Sequence, residues 1–316
     1  MRSMIRLGCL TYLLLGLAVT LVTASPAQAA LIPVTTCGQT LNAPGEYILS
    51  SNLDCSGTFA TGINIASSNV TLHLAGHILS STDCDSTKSI VGVDAVTGLS
   101  NVLIEGGLIS GFNDGIALYS STSRVTGVGV GESCFFGIAL SGTNNRVDSS
   151  YVTNSREDGI AIGAATGAVI VSNFIFGNAR VGVEIANFSN NNVIENNAIA
   201  INGITDGEQG GIAIFNGTGN LIAGNSLIGN FNGIEIEAGG NLVRNNTVNG
   251  SLDTGIFVTS SGAPTTVRSN IVLGSGFVDM SDDSATCSGD HWKKNTFQTD
   301  LAGGNPDGGP GVGCIR

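Results

Sequence analysis

A short motif that recurs at a nearly fixed interval constrains this chain more than any other feature. Nine copies of Gly-Ile-x-Ile, or a close variant, begin at glycines spaced 30, 23, 22, 22, 23, 29, 22 and 22 residues apart. A period in this range indicates a solenoid, in which each repeat contacts only its neighbours. The two long intervals indicate inserted loops. The motifs begin at Gly62, Gly92, Gly115, Gly137, Gly159, Gly182, Gly211, Gly233 and Gly255.

The repeat is built from strands rather than helices. Apolar residues alternate with small or polar ones in each motif and in a second run between motifs, as at residues 169–175 and 221–228. This alternation is typical of half-buried strands, and the Gly, Asn and Ser residues between the runs indicate turns. Coils that stack at ~4.8 Å form parallel sheets around one interior of Ile, Val and Leu. The predicted fold class is all-β, a parallel β-helix of about nine to eleven coils.

Asparagine recurs at two aligned positions of the repeat. Side-chain amides stacked at a turn can hydrogen-bond from coil to coil, so we interpret these residues as scaffold. Ser150 precedes the first file. The two files are Asn173, Asn197, Asn225, Asn246 and Asn270, and Asn178, Asn202 and Asn230.

The Gly-Ile-x-Ile strands, followed by Asn-x-x-Ile turns, resemble the right-handed parallel β-helix superfamily, which includes pectate lyases, polygalacturonases and NosD-type periplasmic proteins. The resemblance covers residues 31–280 and is specific for fold but weak for function. It divides the chain into a signal peptide (1–29), an amino-terminal cap with the first coil (30–60), the repeats (61–280) and an irregular carboxy-terminal cap (281–316).

The amino terminus predicts export. Two arginines precede an apolar run at residues 7–22, and Ala27 and Ala29 form an A-x-A cleavage site, as in a signal peptide. We therefore expect a secreted or periplasmic protein. No later run is apolar for the ~18 residues that a membrane-spanning helix needs, so membrane insertion is not expected. The formal net charge of −12 makes nucleic acid a poor partner.

Six cysteines remain after cleavage, and an even number in an exported protein favours disulfides. Spacing predicts Cys37–Cys55 and Cys287–Cys314, close to the two ends, and elimination leaves Cys84–Cys134. A solenoid has two open sheet edges, so bonds that staple terminal caps would protect it from end-to-end pairing.

The outward positions of the Gly-Ile-x-Ile strands form a candidate carbohydrate-binding face. Side chains alternate across a strand, so one residue of each motif and another two places later point to solvent. These columns are flat and small in their amino-terminal half, whereas carboxylates lie beside aromatic rings further on. The candidate residues are Tyr119, Glu184, Phe215, Glu235, Glu237 and Phe257. A solvated face that keeps the protein soluble is the competing interpretation.

Acidic residues before the motif glycines are candidates for catalysis. Asn113-Asp114-Gly115-Ile116 resembles part of the polygalacturonase signature, and Asp158 repeats the placement. With Glu184 and Arg156, these residues form the candidate catalytic set. The remaining polygalacturonase motifs are absent from the sequence, and pectate-lyase chemistry fits less well because residues 92–270 contain no lysine.

Metal chemistry has little support in the sequence. Copper of the NosD type would require Met, His or Cys ligands, yet the exported chain has one methionine, Met280, and three scattered histidines. Asp279, Asp282 and Asp283 are weak calcium candidates. No cofactor is expected.

Two functional hypotheses remain. The first is a non-catalytic, monomeric rod that binds a polysaccharide or a cell-surface glycan through its flat face. The second is a polysaccharide-active hydrolase, lyase or epimerase that uses carboxylates on the same face. The sequence favours the first, because it requires no acid or base with altered proton affinity.

Overall fold

The Gly-Ile-x-Ile motifs lie on successive parallel strands, in the register that their spacing predicts. Ile116 is paired with Ile138, Ile138 with Ile160, and Ile160 with Val183. A computed structural model describes residues 30–58, 61–84, 90–205, 207, 209–259, 262–306, 308–310 and 312–316. The expected signal peptide lies outside the described residues. Residues Leu31–Arg316 form one unit, a right-handed parallel β-helix of about 11 turns, which confirms the predicted fold.

The strands form two sheets, which we call the GI sheet and the long sheet. The GI sheet has 13 strands and contains the Gly-Ile-x-Ile motifs, and the long sheet has 20. Pairings between the described strands are parallel except β32 with β33. In chain order the strands are β1 Ile32–Val34, β2 Gln39–Leu41, β3 Gly45–Leu49, β4 Leu53–Asp54, β5 Ile63–Ile65, β6 Val70–His73, β7 Ile78–Ser80, β8 Val91–Ala95, β9 Leu103–Ser110, β10 Asp114–Leu118, β11 Arg124–Gly131, β12 Ile138–Thr143, β13 Arg146–Asp148, β14 Tyr151–Thr153, β15 Ile160–Thr166, β16 Val169–Val171, β17 Phe174–Phe176, β18 Val183–Ala186, β19 Val193–Glu195, β20 Ala198–Ala200, β21 Gly210–Ile214, β22 Leu221–Ala223, β23 Ser226–Ile228, β24 Asn232–Ile236, β25 Leu242–Arg244, β26 Thr247–Asn249, β27 Thr254–Val258, β28 Thr266–Arg268, β29 Ile271–Leu273, β30 Val278–Asp282, β31 His291–Lys293, β32 Asp300–Ala302 and β33 Asn305–Pro306.

The long sheet consists of two ladders that meet at a sharp turn in every coil. In a middle coil β16 belongs to the first ladder and β17 to the second, and a strand of the GI sheet, β18, completes the coil. The turn between the ladders is left-handed, with φ of 53° at Ser149, 57° at Ser172 and 55° at Asn196. A left-handed backbone costs energy for most residues, and short polar side chains tolerate it better than branched ones. These turns place the two ladders on different faces of the coil.

The interior is a stack of aliphatic side chains. The isoleucines and their equivalents on either side of each outward motif residue are 0–1% exposed, as at Ile138, Leu140, Ile160 and Ile162. Full burial of one such side chain contributes roughly 2 kcal/mol to stability. The short period of the repeat therefore produces one continuous core along the axis.

Three files of buried polar side chains, rather than the two predicted, accompany this core. In the first file the Asn197 amide nitrogen donates to Oδ1 of Asn225 at 3.0 Å, while Asn197 Oδ1 accepts the backbone N–H of Asn173 at 2.9 Å. The second file includes Asn178, Asn202 and Asn230, as predicted. The third file, which the sequence analysis missed, includes Asn145, Asn192, Asn220 and Asn241.

Disulfides close both ends of the β-helix. Cys37–Cys55 and Cys287–Cys314 have Cα–Cα distances of 5.7 and 6.0 Å and lie in the terminal regions, as predicted. Cys84 and Cys134 also form a bond, with Cα atoms 5.8 Å apart. A short 3₁₀ helix at Cys287–Gly289 precedes the last strands. Within the described part of the chain, no helix is long and apolar enough to cross a membrane.

Candidate functional site

The outward residues of the GI sheet form two parallel columns. In the first column Ala161 is paired with Glu184, Glu184 with Ala213, and Glu235 with Phe257. Ala213 in turn pairs with Glu235, so Glu184 and Glu235 lie two coils apart. Strand spacing places their Cα atoms ~10 Å apart. This is wider than the ~5 Å between the carboxyl groups of a retaining glycosidase.

Four of the predicted carbohydrate-binding residues form a compact group, which we call the Phe–Glu patch. Glu235 and Phe257 are neighbours in the first column, and Phe215 and Glu237 are neighbours in the second. All four side chains are partly exposed. Adjacent positions are ~4.8 Å apart, so two rings and two carboxylates share the surface of three coils. The other two predicted residues, Tyr119 and Glu184, lie on earlier coils.

The carboxylates of the patch hold their protons more tightly than usual. Burial raises the pKa of Glu235, and the charges of Glu237 and Asp253 raise it further, whereas a hydrogen bond from Asn232 Nδ2 at 3.3 Å opposes the shift. Burial also raises the pKa of Glu237. The two carboxyls are therefore partly shielded from water. A ligand that forms hydrogen bonds with them would have little water to displace.

Asp158 and Glu184 meet at one cation, Arg180. Both carboxylates contact Nη2 of Arg180, and Glu157 Oε2 lies 3.3 Å from its Nε. Gln209, which follows the inserted segment, accepts a bond from Nη1 at 3.2 Å. We call this group the Arg180 cluster. Arg156, the predicted basic residue, is exposed and lines a separate cleft with Glu132 and Asn154.

Asp158 itself is fully buried, and both of its oxygens have partners. Oδ1 accepts the Val181 N–H at 3.2 Å, and Oδ2 contacts Arg180. Burial raises the pKa of Asp158 to about 8, assisted by the negative charge of Glu184 and opposed by Arg180. One guanidinium faces two carboxylates in a dry site, so one carboxyl retains its proton at neutral pH.

The Asp-Gly-Ile motif that resembles a catalytic signature has a structural role here. Asp114 Oδ1 accepts the backbone N–H of Phe136 at 3.2 Å. Asp158 accepts that of Val181, and Asn232 accepts that of Thr254 at 3.1 Å. In these three coils the residue before the glycine thus bonds a backbone N–H of the next coil. An asparagine serves as well as an aspartate at this position, so the motif does not require an acid.

Asp158→Asn is expected to change the pH dependence of stability. A raised pKa means that the folded state keeps a proton that the unfolded chain has lost, so the wild type loses stability as pH rises from 3.8 to about 8. The amide can still accept the Val181 N–H, and it removes one of the negative charges that surround Arg180. At pH 8 the variant should melt roughly 5 °C higher than the wild type, and at pH 4.5 the two should differ by less than about 2 °C.

Thermal unfolding followed by circular dichroism measures this difference. Asn232→Asp provides the matched control, because it places an acid at the equivalent position three coils further on. If Asp158→Asn melts below the wild type at pH 8, attraction to Arg180 outweighs burial and the assigned direction of the pKa shift is wrong.

A second group of titratable side chains lies near the amino-terminal end of the GI sheet. Asp94 is paired with Ala117, one coil before the start of the predicted outward column. Burial raises the pKa of Asp114, and the charge of Asp94 adds to the shift. Burial and these two acids also raise the pKa of Tyr119. The sequence analysis missed Asp94, although extending the column by one repeat to Gly92-Val-Asp-Ala would have found it.

Two aspartates of the acidic run near the carboxy-terminal cap form hydrogen bonds within the protein. Asp279 Oδ2 accepts the backbone N–H of Gln298 at 2.8 Å, and Asp282 Oδ2 accepts Trp292 Nε1 at 2.9 Å. Burial raises the pKa of Asp282 to about 6. Asp283 is exposed. Two of the three weak calcium candidates therefore hold the cap together and turn their oxygens away from solvent.

Comparison with known families identifies the class to which this architecture belongs. A model of right-handed β-helix regions matches residues 196–297, and one described as periplasmic copper-binding protein (NosD) matches residues 61–241. The second match covers more than half of the chain. The chain therefore belongs to the NosD family. A comparison with curated proteins gives no match.

Solved structures share the fold at low sequence identity. The A-module of the mannuronan C-5 epimerase AlgE6 from Azotobacter vinelandii is 19% identical, with a TM-score of 0.60, and the match covers 83% of this chain and 76% of that one. For the DFA-IIIase of Arthrobacter chlorophenolicus A6 the values are 12%, 0.59, 86% and 74%. For the Dettilon tailspike protein they are 16%, 0.51, 81% and 54%, so the chain spans about half of the tailspike. These similarities show the fold alone.

The described residues do not fit the copper that the family description names. Copper sites use thiolate, thioether or imidazole ligands. The six described cysteines form disulfides, and Met280 is fully buried in the core. His73 Nδ1 is hydrogen-bonded to Glu105 at 2.7 Å. No group of three or more His, Cys, Asp or Glu among the described residues is arranged to hold a metal ion.

Proposed function

We propose that this chain is an exported, non-catalytic β-helix protein that binds a polysaccharide through the Phe–Glu patch of the GI sheet. The pairing of Glu235 with Phe257 on adjacent coils is the observation that carries the proposal. An aromatic face packs against the C–H groups of a sugar ring, while a neighbouring carboxylate accepts bonds from its hydroxyls. Phe215 and Glu237 repeat this combination one column away.

The charge of the patch indicates the ligand class. Glu235, Glu237 and Asp253 lie close enough for their charges to interact. An acidic polysaccharide would bring more negative charge to this site and would be repelled. We therefore propose a neutral polysaccharide or cell-surface glycan.

The Arg180 cluster supports a non-catalytic role. A general acid or base must reach the proton that it transfers, within about 3 Å. Asp158 has 0% of its surface exposed, and Arg180 holds Glu184. The proton affinity of Asp158, which alone would suggest catalysis, is a consequence of its burial between coils. The enzyme hypothesis would require the cluster to open.

Export and the division of the chain complete the proposal. The residues at 1–29 are proposed to direct export and to be removed, leaving residues 30–60 as the amino-terminal cap, 61–280 as the repeats and 281–316 as the carboxy-terminal cap. Three disulfides suit an oxidising compartment such as the periplasm or the extracellular space. We propose that the exported chain is a monomer.

Phe257→Ala is expected to weaken binding to a neutral polysaccharide by at least tenfold, because it removes a ring that would stack on the ligand. Glu235→Gln should weaken it less, since the amide keeps one acceptor. Affinity electrophoresis of residues 30–316 in gels containing xylan, laminarin, galactomannan or alginate measures the effect. Leu252→Ala, which removes an exposed apolar side chain from the turn leading to the same coil, is the control.

Two results would contradict the proposal. Phe257→Ala could bind every polymer as the wild type does, which would exclude the patch. Alternatively, size-exclusion chromatography could show that the protein shortens one of the polymers, which would make it an enzyme.

A further inference from the structure

Three exposed aromatic side chains lie on the long sheet, on a different face from the Phe–Glu patch. Tyr151 in β14 is 61% exposed, and Phe174 and Phe176 in β17 are 39% and 37% exposed. Tyr151 is paired with Phe174 on the next coil. We call these three residues the aromatic strip. Aromatic rings bury large apolar areas when they have a partner, so an exposed cluster indicates a binding surface.

The three rings lie in contact and form a platform that is not flat. The centroids of Tyr151 and Phe174 are 6.0 Å apart with the planes at 55°, and those of Phe174 and Phe176 are 5.9 Å apart with the planes only 9° from parallel. Phe174 and Phe176 lie two residues apart in one strand and thus on the same side of the sheet. A ligand of more than one ring could therefore contact all three.

Small residues surround the platform on the neighbouring coils. Gly129 is paired with Tyr151 on the preceding coil, and Ala198 and Ala200 are paired with Phe174 and Phe176 on the following one. These positions leave room for a polymer to continue along the axis.

Hydroxyl and amide groups form one wall of the strip. Tyr151 and Phe174 line a cleft of about 460 Å³ together with Ser149, Ser172 and Asn196. These last three residues occupy the left-handed turn of successive coils and are exposed. The turns repeat at the coil spacing of ~4.8 Å, so polar groups recur along the edge of the rings. Rings beside repeated polar groups match the chemistry of a carbohydrate chain.

The surface of the strip is uncharged. The outward residues of its ladder on five successive coils are glycine, threonine, alanine, serine, isoleucine or members of the strip, from Gly129 to Ile228. Across the turn, Arg146 and Asp148 are joined by a bond of 2.8 Å from Nε to Oδ1, and Glu195 ends the equivalent strand two coils further on. In a chain with a formal net charge of −12, an uncharged strip is complementary to an uncharged ligand.

We propose that the aromatic strip is a second binding site, for a neutral polysaccharide whose pyranose rings stack on Tyr151, Phe174 and Phe176 while hydroxyls bond to the serine and asparagine turn. A protein partner fits less well. An aromatic side chain buries ~150–250 Å² in all, and these three are only 37–61% exposed, so together they offer less than half of the ~800 Å² that each partner buries in a stable interface. The inference does not depend on the Phe–Glu patch, because the two surfaces belong to different sheets.

The test compares variants of residues 30–316 that carry substitutions in the aromatic strip or in the Phe–Glu patch. Binding is measured by affinity electrophoresis and by titration with cellohexaose, xylohexaose and laminarihexaose. Tyr151→Ala combined with Phe174→Ala should weaken binding of at least one neutral oligosaccharide by tenfold or more. Ring proton shifts of the phenylalanines, followed by NMR, should move on titration. Tyr151 and Phe174 are both exposed, so the melting temperature of the double variant should stay near that of the wild type.

Two controls separate this site from the Phe–Glu patch. Ile228→Ala and Ile271→Ala remove exposed aliphatic side chains from the same two outward columns and should leave binding unchanged. If Phe257→Ala abolishes binding and the double variant does not, the second site is wrong and the proposed function stands. If only the double variant loses binding, the strip is the site and the patch is not. Equal binding by all variants overturns both.

Discussion

A Gly159→Ala variant is expected to be severely destabilised, with a melting temperature lower by 10 °C or more. A Cβ atom at this position would lie 2.7 Å from Gly182 O, 2.7 Å from Asn178 Nδ2 and 2.9 Å from Ile175 Cγ2. Backbone of the next coil cannot move away without breaking its own pairing, and forcing an extra carbon into a packed interior costs ~1–3 kcal/mol or more. The loss reflects crowding between coils.

The strand that follows Gly159 offers a control. Gly163 lies within β15, and a Cβ there would meet only Asn187 Nδ2, at 3.2 Å. Gly163→Ala should therefore shift the free energy of unfolding by less than ~1 kcal/mol. Guanidinium denaturation followed by circular dichroism gives both values. Equal stability of the two variants would show that the coils can separate to accept a side chain, contrary to this account of the repeat.

Asn197→Ala is the second change with a large expected effect, a loss of at least ~4 kcal/mol in the free energy of unfolding. Asn197 Oδ1 accepts bonds from the backbone and side-chain nitrogens of Asn173, at 2.9 and 3.0 Å. Its Nδ2 donates to Ile170 O at 2.9 Å and to Asn225 Oδ1 at 3.0 Å. Alanine removes all four bonds in a site that is buried, and each polar group left without a partner costs ~1–3 kcal/mol.

Asn249→Ala serves as the comparison for this variant, because Asn249 is exposed at the end of β26. Its removal should change stability by less than ~0.5 kcal/mol. Denaturant titration with a fixed m-value would report the difference. A loss at Asn197 no larger than at Asn249 would mean that water enters the file and replaces the amide, which would refute the structural role of the ladder.

The motif glycines explain why the fold could be predicted from the sequence. At each glycine from Gly62 to Gly255 a Cβ would come within 2.3–2.7 Å of a backbone oxygen of the next coil. Only glycine fits, so the residue recurs at every coil and its spacing reveals the period. The inward Ile and Val residues follow from it by alternation. The third file of buried amides escaped because Ala168 and Thr265 occupy asparagine positions in it and break its pattern.

The candidate sites were harder to predict, because they depend on which of several similar side chains in adjacent coils contact one another. Arg156 and Arg180 lie one coil apart and both are close to acidic residues in the sequence, which does not distinguish which arginine turns toward Asp158. The aromatic strip was missed for a different reason. Tyr151, Phe174 and Phe176 alternate with buried residues, as core-facing aromatics also would, and only the register shows that they share an uncovered surface.

The amide files also give the β-helix an electrical direction. The side-chain carbonyl oxygen of Asn220 accepts from Asn192 in the preceding coil, and its amide nitrogen donates forward to Asn241 as well as back to Ser189 O. Backbone dipoles in a sheet largely cancel, whereas these side-chain dipoles add, as peptide dipoles do along an α-helix. The carboxy-terminal end of each file is its positive pole. At the end of the third file the Asp290 carboxylate accepts the Thr265 N–H at 2.6 Å, much as an acidic residue caps the amino terminus of a helix.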